Sequence, residues 1–191
     1  GIEPKLIAQL EIEEVDGHVT VIGTDHAFDW SNDGPVRFND LKAGETFDSN
    51  YTPSYSGKAR ETTYEGVLSA GNKNAIVETE RFSAKTIITP NGQTVLDFGQ
   101  NISGYLSFHA TGYKGAKTVL VCGEKLNDDG NFTQCNILMK GDYLDSRFQT
   151  IEYISNGEPE EYKTAFTYFG FRYCLLLEGS KNVSDVTAIA I

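Results

Sequence analysis

The chain has 191 residues, 39% of them hydrophobic, and a formal net charge of -11. That length supports one cored domain, or one domain and part of another, and that composition argues against disorder. The acidic balance, with no Lys/Arg stripe, argues against a nucleic-acid partner, and no apolar run is long enough to span a membrane.

In chain order, "LIAQLEIEEVDGHVTVI" alternates apolar and polar residues on either side of Asp16-Gly17. A period of two around a turn that tolerates positive φ predicts a β-hairpin. A polar, turn-rich stretch follows, containing "FNDLKAGETFD" over 38–48. From about 50 to 74, Ser, Thr, Gly and Tyr dominate without a period, which reads as a connection or a domain boundary. Short strand-like runs then return: "AIVETERFSAKTIIT", "QTVLDF", "GYLSFHA", "KTVLVCG", "SRFQTIEYI", "YKTAFTYF", "FRYCLLLE" and "VSDVTAIAI". Turn residues separate them at Pro90-Asn91-Gly92, Asn127 to Gly130, Asn156-Gly157 and Gly179. The pattern predicts an all-β protein: an antiparallel β-sandwich of jelly-roll type with an extra N-terminal β-hairpin segment. The best helical signal covers only 137–143. The expected domains are 1–56 (a partial accessory β-domain), 57–80 (a linker) and 81–191 (the sandwich).

Asp97-Phe98-Gly99 matches the magnesium-binding triplet of protein kinases, but the Gly-rich loop, the β3 lysine and the H-R-D loop are absent. A strand end entering a turn explains the triplet better. Asp97, Gln100 and Asn101 are then expected to hydrogen-bond that turn's backbone. The 27 acidic residues single out no catalytic carboxylate pair. Calcium is the metal that oxygen-rich loops favour. "NDDGN" over 127–131 reads as a hairpin turn rather than a calcium loop. The histidines are scattered, and no nucleophile–base motif is present. The three cysteines cannot all pair within one chain and form no C-x-x-C unit, so they read as free thiols. Free thiols and the lack of a visible signal peptide favour the bacterial cytoplasm.

Three blocks, in order, carry a resemblance: "DFGQNISGY" (97–105), "GEKLNDDGNF" (123–132) and "FTYFGFRYCLLLEG" (166–179). Together they resemble the β-sandwich domain that precedes the catalytic domain in bacterial α-L-rhamnosidases of glycoside hydrolase family 78. The signature positions are Asp97, Gly99, Gln100, Asn101, Gly104, Gly170 and Arg172. Phe169 stands where the family usually has histidine. "GPVRFNDLKAGETFD" (34–48) resembles the second half of that family's N-terminal accessory β-domain. The family's two catalytic carboxylates lie in a downstream (α/α)6 barrel, for which this sequence has no counterpart. The resemblance therefore implies a fragment inactive alone, which supports its own catalytic domain and has rhamnose-containing carbohydrate as a further partner. In some relatives the accessory domain binds rhamnose with calcium. By position, Asn39, Asp40, Glu45 and Asp48 are the candidates for such a site. The alternative is a scaffold or protein-interaction module with no sugar site.

Overall fold

The computed structural model describes residues 5–69, 71, 75–138 and 147–191. In chain order the strands are β1 (Gln9–Glu13), β2 (Val19–Gly23), β3 (Asp29–Trp30), β4 (Val36–Asp40), β5 (Gly44–Asp48) and β6 (Gly57–Lys58). They continue as β7 (Glu80–Ser83), β8 (Lys85–Ile88), β9 (Thr94–Ala110), β10 (Lys117–Gly123), β11 (Lys125–Leu126) and β12 (Phe132–Thr133). The last four are β13 (Thr150–Ile154), β14 (Glu160–Lys163), β15 (Phe169–Glu178) and β16 (Val183–Ala190). Among the described residues the one helical element is a 3-10 turn, Ser180–Asn182. Most of the helical candidate at 137–143 lies outside the described residues.

The chain divides into two compact units, Gly1–Gly34 with Pro53–Gly71, and Pro35–Thr52 with Asn72–Ile191. The first holds the predicted hairpin, β1 against β2, with Leu10 opposite Ile22 and Ile12 opposite Thr20. The Gly17 N–H donates to Glu14 O at 2.9 Å and closes the turn. Both faces of these strands are exposed, including Leu10, Val19 and Val21. The unit also pairs β3 with β6, where the Trp30 ring lies over Gly57.

The second unit contains a ten-stranded sheet in the order β4-β5-β13-β10-β15-β9-β16-β7, with β8 and β14 also paired to β9. It curls into a sandwich because β9 runs through both layers. Thr94–Asp97 lies between β8 and β15, while Ser107–Ala110 lies between β14 and β16. The layers close over an aromatic cluster: Phe108 meets Tyr153 edge-on at 5.6 Å, and Tyr162 sits 5.1 Å from both Phe108 and Phe47. Val95, Val119, Val121, Tyr173 and Leu175 form a second cluster. The central strands β9, β10 and β15 are buried on both faces over much of their length, which is why "TVLVC" and "YCL" read as continuous apolar runs, while Leu177 at the end of β15 is exposed.

Two features depart from the sequence expectations. The sheet is mixed, because β5 pairs β13 in parallel from Gly44↔Thr150 to Asp48↔Ile154. The two strands are distant in sequence, so no short turn forces them antiparallel. Moreover, Gly99 does not end its strand. β9 continues from Thr94 to Ala110, and the expected turn is a bulge inside it: Tyr173 pairs Asp97, Phe171 pairs Ile102, and 98–101 face Arg172 alone. Gly99 at φ 86 gives the bulged backbone its positive dihedral.

Candidate functional site

The four candidate ligands lie on β4, β5 and their turn, and each already has a partner. Asp40 Oδ1 accepts from the Lys42 and Ala43 N–H groups, both at 2.8 Å, and caps the β4–β5 turn. Those two bonds hold the Asp40 carboxyl below its usual range. Asp48 Oδ1 accepts from the Asn50 N–H at 3.0 Å and its side-chain amide at 2.8 Å. Both are short-range Asx turns.

Glu45 is different. It is fully buried at the start of β5. Its carboxylate accepts from the Ala165 N–H at 3.1 Å, the Phe166 N–H at 3.1 Å, the Asn39 amide at 3.2 Å and the Tyr162 hydroxyl. Burial first, and then the Glu45 charge, push the Tyr162 hydroxyl far above its ordinary pKa. A buried carboxylate requires such donors, because desolvation without them costs several kcal/mol. The structure therefore brings Asn39 and Glu45 together as a brace for the 164–168 loop and leaves Asp40 and Asp48 as separate turn caps. Among the described residues, no group of three or more His, Cys, Asp or Glu side chains could hold a metal ion.

The signature residues form a second constellation. Arg172 grips Asp97 with two hydrogen bonds, Nε to Oδ1 at 2.8 Å and a terminal nitrogen to Oδ2 at 2.9 Å. Asp97 Oδ1 also accepts from the Gly99 N–H at 2.8 Å. The Arg172 bonds hold the Asp97 carboxyl below its usual range. Of the three side chains expected to bond this backbone, only Asp97 does; Gln100 and Asn101 are exposed. Gly104 permits close approach of β16, where a Cβ would fall 1.9 Å from Ile189 O. Gly170 lies against the Glu124 carboxylate.

The sequence reading passed over a third group, around Glu152 on β13. Lys117 Nζ reaches Oε1 at 2.8 Å, while Arg147 at 2.8 Å and the Thr46 hydroxyl at 2.9 Å reach Oε2. Burial raises the Glu152 pKa, but these donors outweigh it and hold it at about 2. Arg147 stacks over the Phe38 ring at 4.6 Å, and its buried Nε has no partner among the described residues. Of these residues, Arg147 and Glu152 line an open cleft of about 570 Å³, together with the apolar Val119, Val121 and Leu175. No spacing in the sequence links 38, 46, 117, 147 and 152; only the order of strands joins them.

With this geometry in place, similarity to known proteins is specific. Residues 87–191 match the family described as bacterial alpha-L-rhamnosidase concanavalin-like domain, and residues 1–95 match the alpha-L-rhamnosidase N-terminal domain. The chain belongs to the concanavalin-like family, whose match covers more than half of it. An alpha-L-rhamnosidase of Streptomyces avermitilis is 30% identical over 98% of this chain and 19% of its own length. One from Formosa agariphila is 27% identical over 89% of this chain, again across 19% of its own length. The crystal structure of the Streptomyces avermitilis enzyme complexed with L-rhamnose superposes with a TM-score of 0.78. That match has 27% identity and covers 96% of this chain and 19% of the enzyme. The Dictyoglumus thermophilum enzyme gives a TM-score of 0.75 at 26% identity, covering 96% of this chain and 22% of its own. The chain thus spans about a fifth of the relatives it matches and corresponds to their N-terminal and concanavalin-like portions.

Proposed function

We propose that this chain is a non-catalytic β-portion of an α-L-rhamnosidase and supports that enzyme's catalytic domain. The observation that carries this reading is the burial of Glu45 with all its acceptor capacity taken up by the chain's own donors. Asp40 and Asp48 are likewise engaged by nearby backbone. A carboxylate pair for glycoside hydrolysis must face a common substrate at a fixed separation. The purified chain should therefore show no turnover of an aryl α-L-rhamnoside; release of the aryl group above a heat-inactivated control refutes the reading.

A second reading, carbohydrate binding, is favoured by the cleft beside Arg147. Its volume suits a small ligand, and its lining sets the apolar Val119, Val121 and Leu175 beside the charged Arg147 and Glu152. Calorimetric titration with L-rhamnose, with and without calcium, separates the two. Support alone gives no saturable heat in either buffer. Sugar binding at the cleft gives saturable heat that Arg147→Ala abolishes, and a calcium-dependent site gives heat only when the ion is present.

A further inference from the structure

Cys122 on β10 and Cys174 on β15 stand directly opposite each other, and both are fully buried. The Cys122 N–H donates to Gln149 O at 2.9 Å. Its carbonyl accepts from the side-chain amides of Gln134 at 2.7 Å and Gln149 at 3.3 Å. Both backbone groups thus bond away from β15, which makes Cys122 and Cys174 a non-hydrogen-bonded pair of an antiparallel ladder. In such pairs the Cα atoms approach to about 4.5 Å, inside the range of about 4.4–6.8 Å that a disulfide spans. Residues directly opposite project from the same face, and both cysteines belong to the same core cluster. Both thiols are free in the structure, and Cys135 is exposed on the turn after β12.

We propose that Cys122 and Cys174 are a latent cross-strand disulfide, formed when the chain folds in the presence of a small disulfide oxidant. The step is thiol–disulfide exchange. One cysteine thiolate attacks a sulfur of the oxidant and releases a small thiol, leaving a mixed disulfide. The second thiolate attacks that bond, forms the Cys122–Cys174 bond and releases the second small thiol. Two protein S–H bonds and one oxidant S–S bond are lost; one protein S–S bond and two small thiols result.

Timing follows from burial. Exchange requires an accessible thiolate, and both sulfurs are shut inside the sandwich. Burial and the hydrogen bond to Cys174 also raise the Cys122 pKa. The bond therefore forms during folding, while the completed reduced fold resists the oxidant. Once made, it closes a long loop through β11 to β14 and restricts the unfolded chain.

The test uses the chain with Cys135→Ser, so that no exposed thiol competes. Unfolded protein is refolded either with a reductant or with a mixture of reduced and oxidised glutathione. Thiols are then titrated in denaturant, and peptides are mapped without reduction. The expected oxidised product has lost both reactive thiols, yields a peptide joining Cys122 to Cys174, and melts about 10 °C above the reduced form. Reduced protein already folded keeps both thiols under the same glutathione mixture. Two titratable thiols after oxidative refolding, mixed glutathione adducts without the joined peptide, or an oxidised form that melts below the reduced one overturns the proposal.

Discussion

Asp97 shows how one side chain serves local and distant partners together. It holds the Gly99 N–H within its own strand and the Arg172 guanidinium on the next. Charge-assisted, bidentate bonds are among the stronger ones available, although Arg172 is about a third exposed. Asp97→Ala should therefore destabilise the chain by about 1–2 kcal/mol. Denaturant titration measures this, and no change would mean that the clamp contributes nothing. Glu152 sets a pH dependence. Its folded pKa, at about 2, lies below the ordinary value of 4.5. Its contribution is thus complete above the ordinary value and fades as pH falls toward the folded one. Near neutral pH, Glu152→Gln should cost about 1–2 kcal/mol, and wild type and variant should converge as the pH approaches 2. Melting temperature followed across acid pH checks this; a constant gap would disprove it. At this scale the sequence was a partial guide. Asp97 and Arg172 were visible as family signature residues, whereas their contact spans 75 positions. Glu45 looked like a loop carboxylate because its burial depends on β13 and the 164–168 loop, which are far away in the chain.

The placement of β5 is the clearest decision made by an element. Its first residue, Gly44, has φ 111, and a Cβ there would fall 1.9 Å from Thr150 O. A side chain would meet a forbidden backbone region and the carbonyl of the parallel partner together. Gly44→Ala should cost at least about 3 kcal/mol, read by denaturant unfolding, and native-like stability would show that β5 can pair otherwise. Long β9 teaches a related lesson. The two runs "TVLDF" and "GYLSFHA" were legible as strands from their alternation and apolar content. That they form one strand was not, because positive φ at Gly99 suits a turn and a bulge equally. The choice lies with Arg172 on β15, which faces the bulge and holds Asp97. By contrast, the Asp16-Gly17 hairpin and the Asn127–Gly130 turn between β11 and β12 needed no distant partner. Their bonds close within a few residues, so local sequence sufficed.

Over the whole molecule, burial is unevenly divided. β1 and β2 expose both faces, while β9, β10 and β15 carry most of both hydrophobic clusters. Local opening should follow that division. Amides of β1 and β2 should exchange with solvent on the order of 1,000-fold or more faster than those of β10 and β15. Hydrogen–deuterium exchange with peptide resolution reads this directly, and equal protection would refute it. Pro35–Thr52, which the sequence placed beside the N-terminal hairpin, groups by contacts with the sandwich unit. Composition and periodicity determined the all-β class and the short-range turns, and the ordered motif blocks carried the resemblance to the family, because alternation, Asx-Gly turns and motif words are local properties of the chain. Tertiary structure alone decided the parallel β5–β13 pair, the bulge in β9, the burial of Glu45 and the facing cysteines. Each depends on which distant strands become neighbours, and the free energy of burying both faces of the central strands sets that order.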